Sequence, residues 1–518
     1  MSLRLLCKTS RSISIEYITN EIVFTKEYYT IYINNKLYKK TNKIVNTIYN
    51  LTPNTDYLIK IIYQNKTHEI LVKTNTESFS INIKNFGAKG NGIDDDTAFI
   101  QAAIMSCPDN GHVLIPAGKY KVSTLFLKSN ISLEISANAI LSGIINKTQI
   151  PILPGTLQND SNELLLASWE GESISSYSSI LVGINVNNIN IYGEGFIDGN
   201  ATFDNWWKNP KNIEIAARPR MIYLNHCSNI SLIGLSIQNS PSWNIHPFFS
   251  QNLKFINLNI TSPQNSPNTD GLNPESCNNV SILGCYFSVG DDCIAIKSGK
   301  ISIGKKYHTP SQNIIIKHCF MHNGHGSITL GSEMSGGIKD IFASQCIFSH
   351  TDRGLRIKTR RGRGNFAIID NISFNDLKMD SVLTPFSINC FYFCDSDGHS
   401  EYVQTKKALP VDDRTPSIKK LKFSNIDIKN CHICAAFFYG LPENKIESIT
   451  MSNISINYDE SPTAGAPDML DDISDNISKM GIYAKNINYL KLEKVSISNQ
   501  NGAPLIYSNI NNLVTSIK

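Results

Sequence analysis

Most of the chain repeats a pattern in which a polar residue, often asparagine, precedes a short run of alternating apolar and polar residues. The pattern recurs at Asn130–Leu133, Asn188–Ile191, Asn229–Leu232, Asn252–Phe255, Asn279–Ile282, Asn313–Ile316 and Asn371–Phe374, and continues through 418–423, 446–451 and 486–492. The units follow one another at roughly 20 residues or more, a period expected of solenoid proteins. No long helical segment separates them. The pattern therefore predicts an all-β fold, a parallel β-helix, and excludes a doubly wound α/β fold.

The recurring asparagine is interpreted as a turn residue that forms a ladder with its counterparts in neighbouring coils. A single Asn-Ile-Ser unit would be an ordinary β-strand. The repetition along the chain is what favours the β-helix.

Residues 1–77 have a different pattern, in which short alternating strands are separated by polar turns. Strands are expected at 12–17, 28–33, 43–49, 57–63 and 69–73, which predicts a small β-sandwich. The segment Leu51–Tyr57 resembles the turn and tyrosine corner of fibronectin type III domains, where the tyrosine hydroxyl binds nearby backbone. The tryptophan typical of that fold is absent, and Ile15 or Tyr17 is expected in its place. A sandwich of unrelated ancestry is the alternative interpretation.

The predicted domain boundary lies at 77/78, so that residues 78–518 form the β-helix. A glycine-rich turn over 85–92 leads into Asp94–Asp96 and then into apolar residues at helical spacing. Asp95 or Asp96 is expected to cap this helix, and the helix is expected to seal the open end of the stack. A metal-binding loop is the alternative interpretation of the three acidic residues.

Composition limits the classes of function. Hydrophobic residues make up 41% of the 518 residues and charged residues only 18%, which predicts a large buried core and no long disordered region. The net charge of +4 is too small to indicate a nucleic-acid-binding protein. No apolar run reaches the ~18 residues of a membrane span, so neither nucleic acid nor membrane is expected as a partner.

The N-terminal residues show no signal peptide, and we therefore expect the cytoplasm. The twelve cysteines are scattered along the chain. Cys431 and Cys434 have the spacing of zinc ligands, but no second such pair accompanies them. Burial as small apolar side chains is the favoured interpretation, and no metal site is predicted.

Four short motifs follow one another within about ninety residues of the repeat region. They are Asn268–Gly271, Gly290–Cys293, Gly324–Gly326 and Arg356–Lys358. Each begins one coil or slightly more after the last. Because residues one period apart in a solenoid lie side by side, we expect these motifs to meet on one face.

The expected cluster contains the groups that glycoside hydrolysis needs. Asp270, Asp291 and Asp292 would provide a carboxylic acid to protonate the leaving oxygen and a carboxylate to activate water, about 6.5–9.5 Å apart in inverting enzymes. Crowding the carboxyl groups should raise at least one pKa. His325 can hydrogen-bond to the acid. The alternation of Arg356 and Lys358 points both cations to one face of a strand, where they can bind a substrate carboxylate.

These motifs, in this order, resemble those of polygalacturonases, glycoside hydrolase family 28. Further matching stretches are Arg218–Pro219, Ser240–Trp243, His246–Pro247 and Ile294–Gly299, and the resemblance extends over about 80–450. It implies a right-handed β-helix of the pectin-lyase type. It also implies a pectic substrate, galacturonan or its oligomers, and no cofactor.

The resemblance implies a role for each site residue. Asp291 would be the general acid and His325 its neighbour, while Asp270 and Asp292 would share the activation of water. The other residues would bind substrate: Asn268, Tyr392, and Arg356 and Lys358 as partners of galacturonate carboxylates.

Other functions stay open at this stage. A pectate lyase shares the β-helix but needs calcium, which the three aspartates could bind. A related hydrolase could act on rhamnogalacturonan or substituted galacturonan, and a fibre or adhesin would need no acid cluster. Taken singly, each motif also has an ordinary interpretation as a turn or an exposed strand.

A fibronectin-like domain before the catalytic region resembles bacterial exo-polygalacturonases, and a cytoplasmic enzyme would meet short oligomers. Both points favour removal of sugars from a chain end. The segment 391–415 is a candidate for the wall that closes the cleft. Arg360, Arg361 and Arg363 either lengthen the anionic-sugar cleft or form a solvated loop. Trp206 and Trp207 either stack on sugars or are buried.

Overall fold

The N-terminal part of the chain forms two antiparallel sheets in the computed structural model, which describes residues 3–159 and 162–517. The strands are β1 (Leu3–Lys8), β2 (Ile13–Tyr17), β3 (Phe24–Ile33), β4 (Lys36–Lys43), β5 (Val45–Ile48), β6 (Asp56–Tyr63) and β7 (Lys66–Lys73). One sheet has the order β1-β2-β5 and the other β4-β3-β6-β7. Ile15 and Tyr17 are buried between them. The Tyr57 hydroxyl accepts a 2.8 Å hydrogen bond from the Thr52 amide, as expected of a tyrosine corner.

The rest of the described chain is strand with little helix. Its strands are β8 (Ser80–Asn82), β9 (Asn91–Asp95), β10 (Gly111–Ile115), β11 (Gly118–Val122), β12 (Leu125–Phe126), β13 (Ile131–Ile135), β14 (Ala139–Gly143), β15 (Ile152–Leu153), β16 (Thr156–Asn159), β17 (Asn162–Leu165), β18 (Ser176–Tyr177), β19 (Leu181–Ile184), β20 (Asn187–Gly193), β21 (Phe196–Asp198), β22 (Ile222–Asn225), β23 (Ser228–Ile233), β24 (Ser236–Gln238), β25 (Ile245–Phe248), β26 (Gln251–Ile256), β27 (Asn259–Thr261), β28 (Asn278–Leu283), β29 (Tyr286–Ser288), β30 (Ile294–Ile296), β31 (Ser311–Lys317), β32 (Phe320–His322), β33 (Ile328–Gly331), β34 (Ile338–Ser344), β35 (Ile347–Ser349), β36 (Arg353–Lys358), β37 (Ile368–Asp380), β38 (Thr384–Asn389), β39 (Ser417–Ile418), β40 (Lys420–Cys431), β41 (Cys434–Tyr439), β42 (Ile446–Tyr458), β43 (Met480–Ser498) and β44 (Asn501–Thr515). The α-helices are α1 (Thr97–Ser106), α2 (Ile301–Tyr307) and α3 (Glu401–Gln404), and 3₁₀ turns cover Ile83–Phe86 and Lys147–Gln149.

Parallel pairing arranges these strands into three ladders that run along the stack. Ladder A contains β8, β10, β13, β20, β23, β26, β28, β31, β34, β37, β39, β40, β42, β43 and β44. Ladder B contains β9, β11, β14, β21, β24, β27, β29, β32, β35 and the end of β37. Ladder C contains β12, β19, β22, β25, β30, β33, β36, β38, β41 and the start of β43. The predicted parallel β-helix is confirmed.

The asparagine ladder is present where each coil enters ladder A. Asn130, Asn188, Asn229, Asn252 and Asn279 all have positive φ angles, between 56° and 62°. From Asn188 onward, each side-chain amide donates to the side-chain oxygen of the preceding asparagine, over 2.7–3.1 Å. Asparagine suits this position because it tolerates the left-handed conformation and its amide joins neighbouring coils.

The interior of the coils is filled by aliphatic side chains from all three ladders, and α1 closes its first end. Ile100, Ala103 and Ile104 of α1 are fully buried. Asp96 occupies the N-cap position, but its carboxylate accepts hydrogen bonds from the amides of Lys89 and Gly90 in the preceding turn. The predicted helix therefore forms. Asp96 stabilises the glycine-rich turn, whereas the Asp95 carboxylate accepts a 2.9 Å hydrogen bond from the amide of Thr97, the first residue of the helix.

The N-terminal sheets pack on the edge between ladders A and B. Glu16, which is buried, accepts hydrogen bonds from Lys317 over 2.7 Å and from His318 over 2.9 Å. Burial raises the pKa of Glu16, but these two partners outweigh it and lower the pKa to about 2. Gly234 permits the close approach, since a Cβ there would lie 1.6 Å from the Tyr49 hydroxyl.

Long connections surround the start of ladder C. The residues between β14 and β19 contain the antiparallel pairs β15–β18 and β16–β17. Trp206 and Trp207, in the connection before β22, are 4% exposed, so burial is the correct interpretation of this pair. Cys431 and Cys434 are buried free thiols, also as favoured.

No helix of the described ranges is long and apolar enough to cross a membrane.

Candidate active site

The predicted site residues lie where successive coils pass from ladder B into ladder C. Asp270 stands two residues before Leu272, which bridges Ile245 and Ile294. Asp291 and Asp292 stand just before β30, and His325 stands before β33 in the next coil. Because the coils stack, the structure brings these side chains together with Arg356 and Lys358 of β36.

The three aspartates form one cluster. An oxygen of each of Asp270, Asp291 and Asp292 lies within 4.8 Å of an oxygen of the other two. Asp270 and Asp292 are almost fully buried, whereas the Asp291 side chain is 21% exposed. The spacing is shorter than the 6.5–9.5 Å expected from the sequence for an inverting carboxyl pair.

The aspartates differ in their electrostatic surroundings. Burial, followed by the charge of Asp291, raises the pKa of Asp270 well above its ordinary value. Burial also raises the pKa of Asp291, but the hydrogen bond and charge of His325 outweigh it and lower the pKa to about 2. The same hydrogen bond raises the pKa of His325. One carboxyl pKa is raised as predicted, and it belongs to Asp270, whereas the pKa of Asp291 is lowered beside His325.

The two cations of β36 contact carboxylates of the protein. The Lys358 ammonium donates a 2.9 Å hydrogen bond to Asp292. Arg356 donates a 2.8 Å hydrogen bond to the buried Asp468 and lies 4.0 Å from Asp292. Tyr392 lies beside both cations, with its ring centre 5.7 Å from the guanidinium and 5.5 Å from the ammonium. These cations therefore balance the acid cluster, a role that the sequence did not indicate.

Asn268 stands at the rim of the cluster. Its backbone is left-handed, with φ at 55°, and its side-chain oxygen accepts a 2.5 Å hydrogen bond from Arg218. Arg218 also donates to the carbonyl oxygens of Pro241 and Pro267. Arg218 thus ties this turn to the coil before it.

Several residues of the site were not predicted. Lys297 donates a 2.8 Å hydrogen bond to Glu333, and both are buried. The Lys297 ammonium also lies 4.7 Å from the ring centre of Trp243, which stacks on Trp169 at 6.1 Å. Lys297 and Trp243 belong to stretches that matched the family, so the sequence carried a signal for them. Asp468 lies in an irregular loop, and nothing in its sequence neighbourhood points to the site.

The arginine-rich segment after β36 is buried, and both interpretations offered for it are wrong. Arg360 and Arg363 donate hydrogen bonds to Asp395, at 3.0 and 2.6 Å. Arg361 binds Glu443 through two hydrogen bonds of 2.6 and 2.9 Å. The arginines are neither free for a sugar nor solvated, because they fasten the segment 391–415 to the β-helix.

A cavity of about 970 Å³ lies above the aspartates. Its walls come from several connections and from the ladder C strands. They include Trp169, Glu170, Lys211, Asn268, Lys300, His325, Tyr392, Phe393, Asp395, His399 and Met469. The predicted wall segment 391–415 therefore borders the site. The three aspartate oxygens are also close enough to coordinate a cation, beside Lys358 and Arg356.

A parallel β-helix with crowded carboxyl groups at the base of a cavity has the groups that glycoside hydrolysis requires. The family model described as "Glycosyl hydrolases family 28" matches residues 108–469. A probable polygalacturonase of Vitis vinifera is 30% identical over 388 residues, covering 73% of this chain and 74% of that protein. The chain belongs to glycosyl hydrolases family 28 and is a glycoside hydrolase.

Two further comparisons concern proteins named as exo-acting. An exo-poly-alpha-D-galacturonosidase of Dickeya chrysanthemi is 25% identical over 476 residues, covering 78% of this chain and 75% of that protein. The structure of a family 28 exopolygalacturonase of Yersinia enterocolitica matches with a TM-score of 0.74 at 20% identity, covering 99% of this chain and 98% of that chain. The second comparison establishes the shared fold over the whole length.

Proposed function

We propose that this enzyme hydrolyses α-1,4-galacturonosyl bonds in polygalacturonate or oligogalacturonides and removes sugars from a chain end. The observation that carries the proposal is the cluster of Asp270, Asp291 and Asp292 at the base of the cavity, surrounded by cations. Lys211 and His325 line the cavity beyond the aspartates and offer positive charge to an anionic sugar, beside Lys300, which is paired with Asp395, and the carboxylates of Glu170 and Glu172. The names of the curated relatives support the same substrate class.

Asp291 is proposed as the general acid, with His325 as its partner. Asp291 is the most exposed of the three carboxyl groups and lies 3.3 Å from His325 Nδ1. The pair shares one proton below the raised pKa of His325. During cleavage this proton passes to the leaving glycosidic oxygen while the bond from that oxygen to the anomeric carbon breaks.

Asp292 and Asp270 are proposed to act on the attacking water. Asp292, ion-paired with Lys358, accepts the water proton as the water oxygen bonds to the anomeric carbon. Asp270, held by a 2.8 Å hydrogen bond from Asn273, orients the same water. Burial and the charge of Asp291 favour the protonated form of Asp270, which suits an orienting hydrogen bond better than proton abstraction.

Inversion of the anomeric carbon remains the proposed outcome, because a water held by two aspartates needs no covalent sugar intermediate. The short spacing of the carboxyl oxygens is the observation against it. Proton NMR of the first product distinguishes the outcomes. A new β-anomer from an α-linked substrate means inversion, whereas a new α-anomer would replace the water-based mechanism with a covalent one.

Action at a chain end is supported by the walls of the cavity. Phe393 to Ser396 stand on one side, fastened through Asp395 to Arg360, Arg363 and Lys300. Trp169 and Glu170, from the connection between β14 and β19, line the same cavity. In this proposal the walls close one end of the cleft, which would admit the end of a sugar chain and oppose passage of a long one.

The deciding experiment is the product pattern from defined galacturonate oligomers in the presence of a chelator. We expect saturated products of one or two sugars, identified by mass, without new ultraviolet absorbance. Unsaturated products that require calcium would indicate a lyase. Rapid viscosity loss on the polymer with little reducing sugar would refute exo action. Absence of cleavage would favour another pectic substrate, such as rhamnogalacturonan, or a binding protein.

A matched variant shows whether the products arise at this site. Asp291→Asn retains the size and shape of the side chain but cannot donate the proton, so we expect a rate reduced by about 10²–10⁴-fold. The variant should keep the thermal unfolding behaviour of the parent. Retained activity in a folded Asp291→Asn protein would show that the acid is another group. The cytoplasmic location stays a prediction.

A further inference from the structure

A second cavity, of about 450 Å³, lies where the N-terminal sheets meet the β-helix. Strands β3, β4 and β5 form one side, and the first residues of successive ladder B strands form the other. It lies on the edge between ladders A and B, whereas the aspartates lie between ladders B and C. The proposed hydrolysis uses none of its residues.

The floor of this cavity repeats from coil to coil. Ser236, Asn259, Tyr286 and Phe320 begin consecutive ladder B strands and pair with one another in register. Adjacent strands lie ~4.8 Å apart, so the floor is a linear row along the helix axis. Tyr286 and Phe320 contact edge to face at 5.5 Å and are only partly buried. The row offers an apolar platform followed by polar side chains.

The opposite side carries two lysines. Lys39 and Lys43 of β4 both line the cavity, and among the described residues neither has a carboxylate within 4.0 Å. Burial, aided by the charge of Lys43, lowers the pKa of Lys39. The lining also includes the exposed carboxylate of Glu194, and His318, whose ring already binds Glu16. The two ammonium groups therefore exceed the negative charge available to them in the cavity.

We propose that this interdomain cavity binds a stretch of acidic oligosaccharide. Sugar faces rest on Tyr286 and Phe320, and carboxylates contact Lys39 and Lys43. The choice of a uronate-containing sugar rests on the proposed function. An apolar platform with few polar groups suits a sugar, and paired cations suit its carboxylates.

The position of the cavity relative to the acid cluster suggests how binding there would assist the proposed hydrolysis. Strand β29, which carries Tyr286, leads directly to Asp291 and Asp292 in the same coil. A polysaccharide held on the edge between ladders A and B would therefore raise the local concentration of its chain end near the acid cluster. Short oligomers cannot reach both sites at once, so only long substrates gain from the second site.

The test uses the full-length protein with Asp291→Asn, which binds substrate but does not consume it. Isothermal titration with a galacturonate oligomer should give two binding events per chain. Lys39→Ala with Lys43→Ala should weaken one event by about tenfold. In the active protein the lysine variant should lose activity on polygalacturonate and keep activity on a trimer.

The matched control is Lys36→Ala with Lys40→Ala, which removes two exposed lysines from the same strand without touching the cavity lining. If both double lysine variants weaken binding equally, the effect comes from the net charge of the protein and not from this cavity, and the proposal is overturned. A single binding event that neither lysine pair changes would overturn it as well. Activity on the trimer is read separately, so failure of the proposed hydrolysis is distinguishable from failure of this binding site.

Discussion

The ammonium of Lys358 donates a 2.9 Å hydrogen bond to Oδ2 of Asp292, and both groups are buried. The pair joins the Arg-x-Lys motif of β36 to the acidic turn before β30, two coils apart. This contact lets three carboxyl groups share a small space, because a buried cation offsets their mutual repulsion.

Replacement of this lysine should change the pH dependence of activity. In Lys358→Met the three carboxyl groups lose a cation and take up a proton more readily. We expect the acid limb of the kcat/KM profile to move to higher pH, with activity reduced by about tenfold or more at its optimum. Lys358→Arg, which keeps the charge, is the control, and an unchanged profile in the Met variant would contradict the proposed balance of charge.

His325 should set the alkaline limb of the same profile. Its pKa is raised by Asp291, so the shared proton is present at low pH and is lost as pH rises through the raised pKa of His325. The complementary lowering of the Asp291 pKa is lost only as pH falls through about 2. In His325→Gln we expect the alkaline limb to begin at lower pH. A limb that stays in place would assign it to another group.

Asp468 should position Arg356 without contacting the substrate itself. It accepts hydrogen bonds from Arg356 and from the Ser387 hydroxyl, and it is fully buried. Asp468→Asn leaves a buried guanidinium without its main counter-charge, so we expect a loss of ~3 kcal/mol in the free energy of unfolding. The KM should rise more than kcat falls. Urea unfolding and steady-state kinetics measure the two effects.

Ser387→Ala is the control for that variant, because it removes a hydrogen bond from Asp468 but no charge, and should cost about 1 kcal/mol. Equal losses in the two variants would mean that the charge of Asp468 contributes little. A kcat loss without a change in KM would place Asp468 in the chemical step.

Arg361 should hold the wall segment in place. Besides Glu443, it donates a 2.8 Å hydrogen bond to the carbonyl oxygen of Thr405. Arg361→Met should cost ~3–5 kcal/mol and expose residues 391–415 to proteolysis. Arg414→Met removes an exposed arginine paired with Asp412 and should cost less than ~1 kcal/mol. Proteolysis at equal rates in both variants would show that Arg361 does not fasten the wall.

The repeat pattern was sufficient to predict the β-helix, because each coil contributes the same turn residue and the same inward apolar positions. The positive φ of Asn130, Asn188 and Asn229 follows from local backbone preference, which any single unit contains. Motif spacing was likewise sufficient to bring Asp270, Asp291 and His325 to one face, because a solenoid converts sequence period into adjacency.

The burial, pKa and ion pairing of these residues could be determined only from the tertiary structure. The raised pKa of Asp270 depends on burial and on Asp291, and the engagement of Arg356 depends on Asp468, which is more than a hundred residues away in an irregular loop. The sequence left a substrate cleft and a solvated loop as alternatives for the arginines at 360, 361 and 363, yet they are buried against Asp395 and Glu443.

Sequence by itself therefore determined the solenoid, its asparagine ladder and the identity of the clustered carboxyl groups, because these depend on local preference and period. Only the tertiary structure decided which carboxyl has the raised pKa, which cations are already paired, and where the N-terminal sheets create a second cavity. Those outcomes depend on burial and on charges that long connections bring together, and no periodic signal along the chain encodes them.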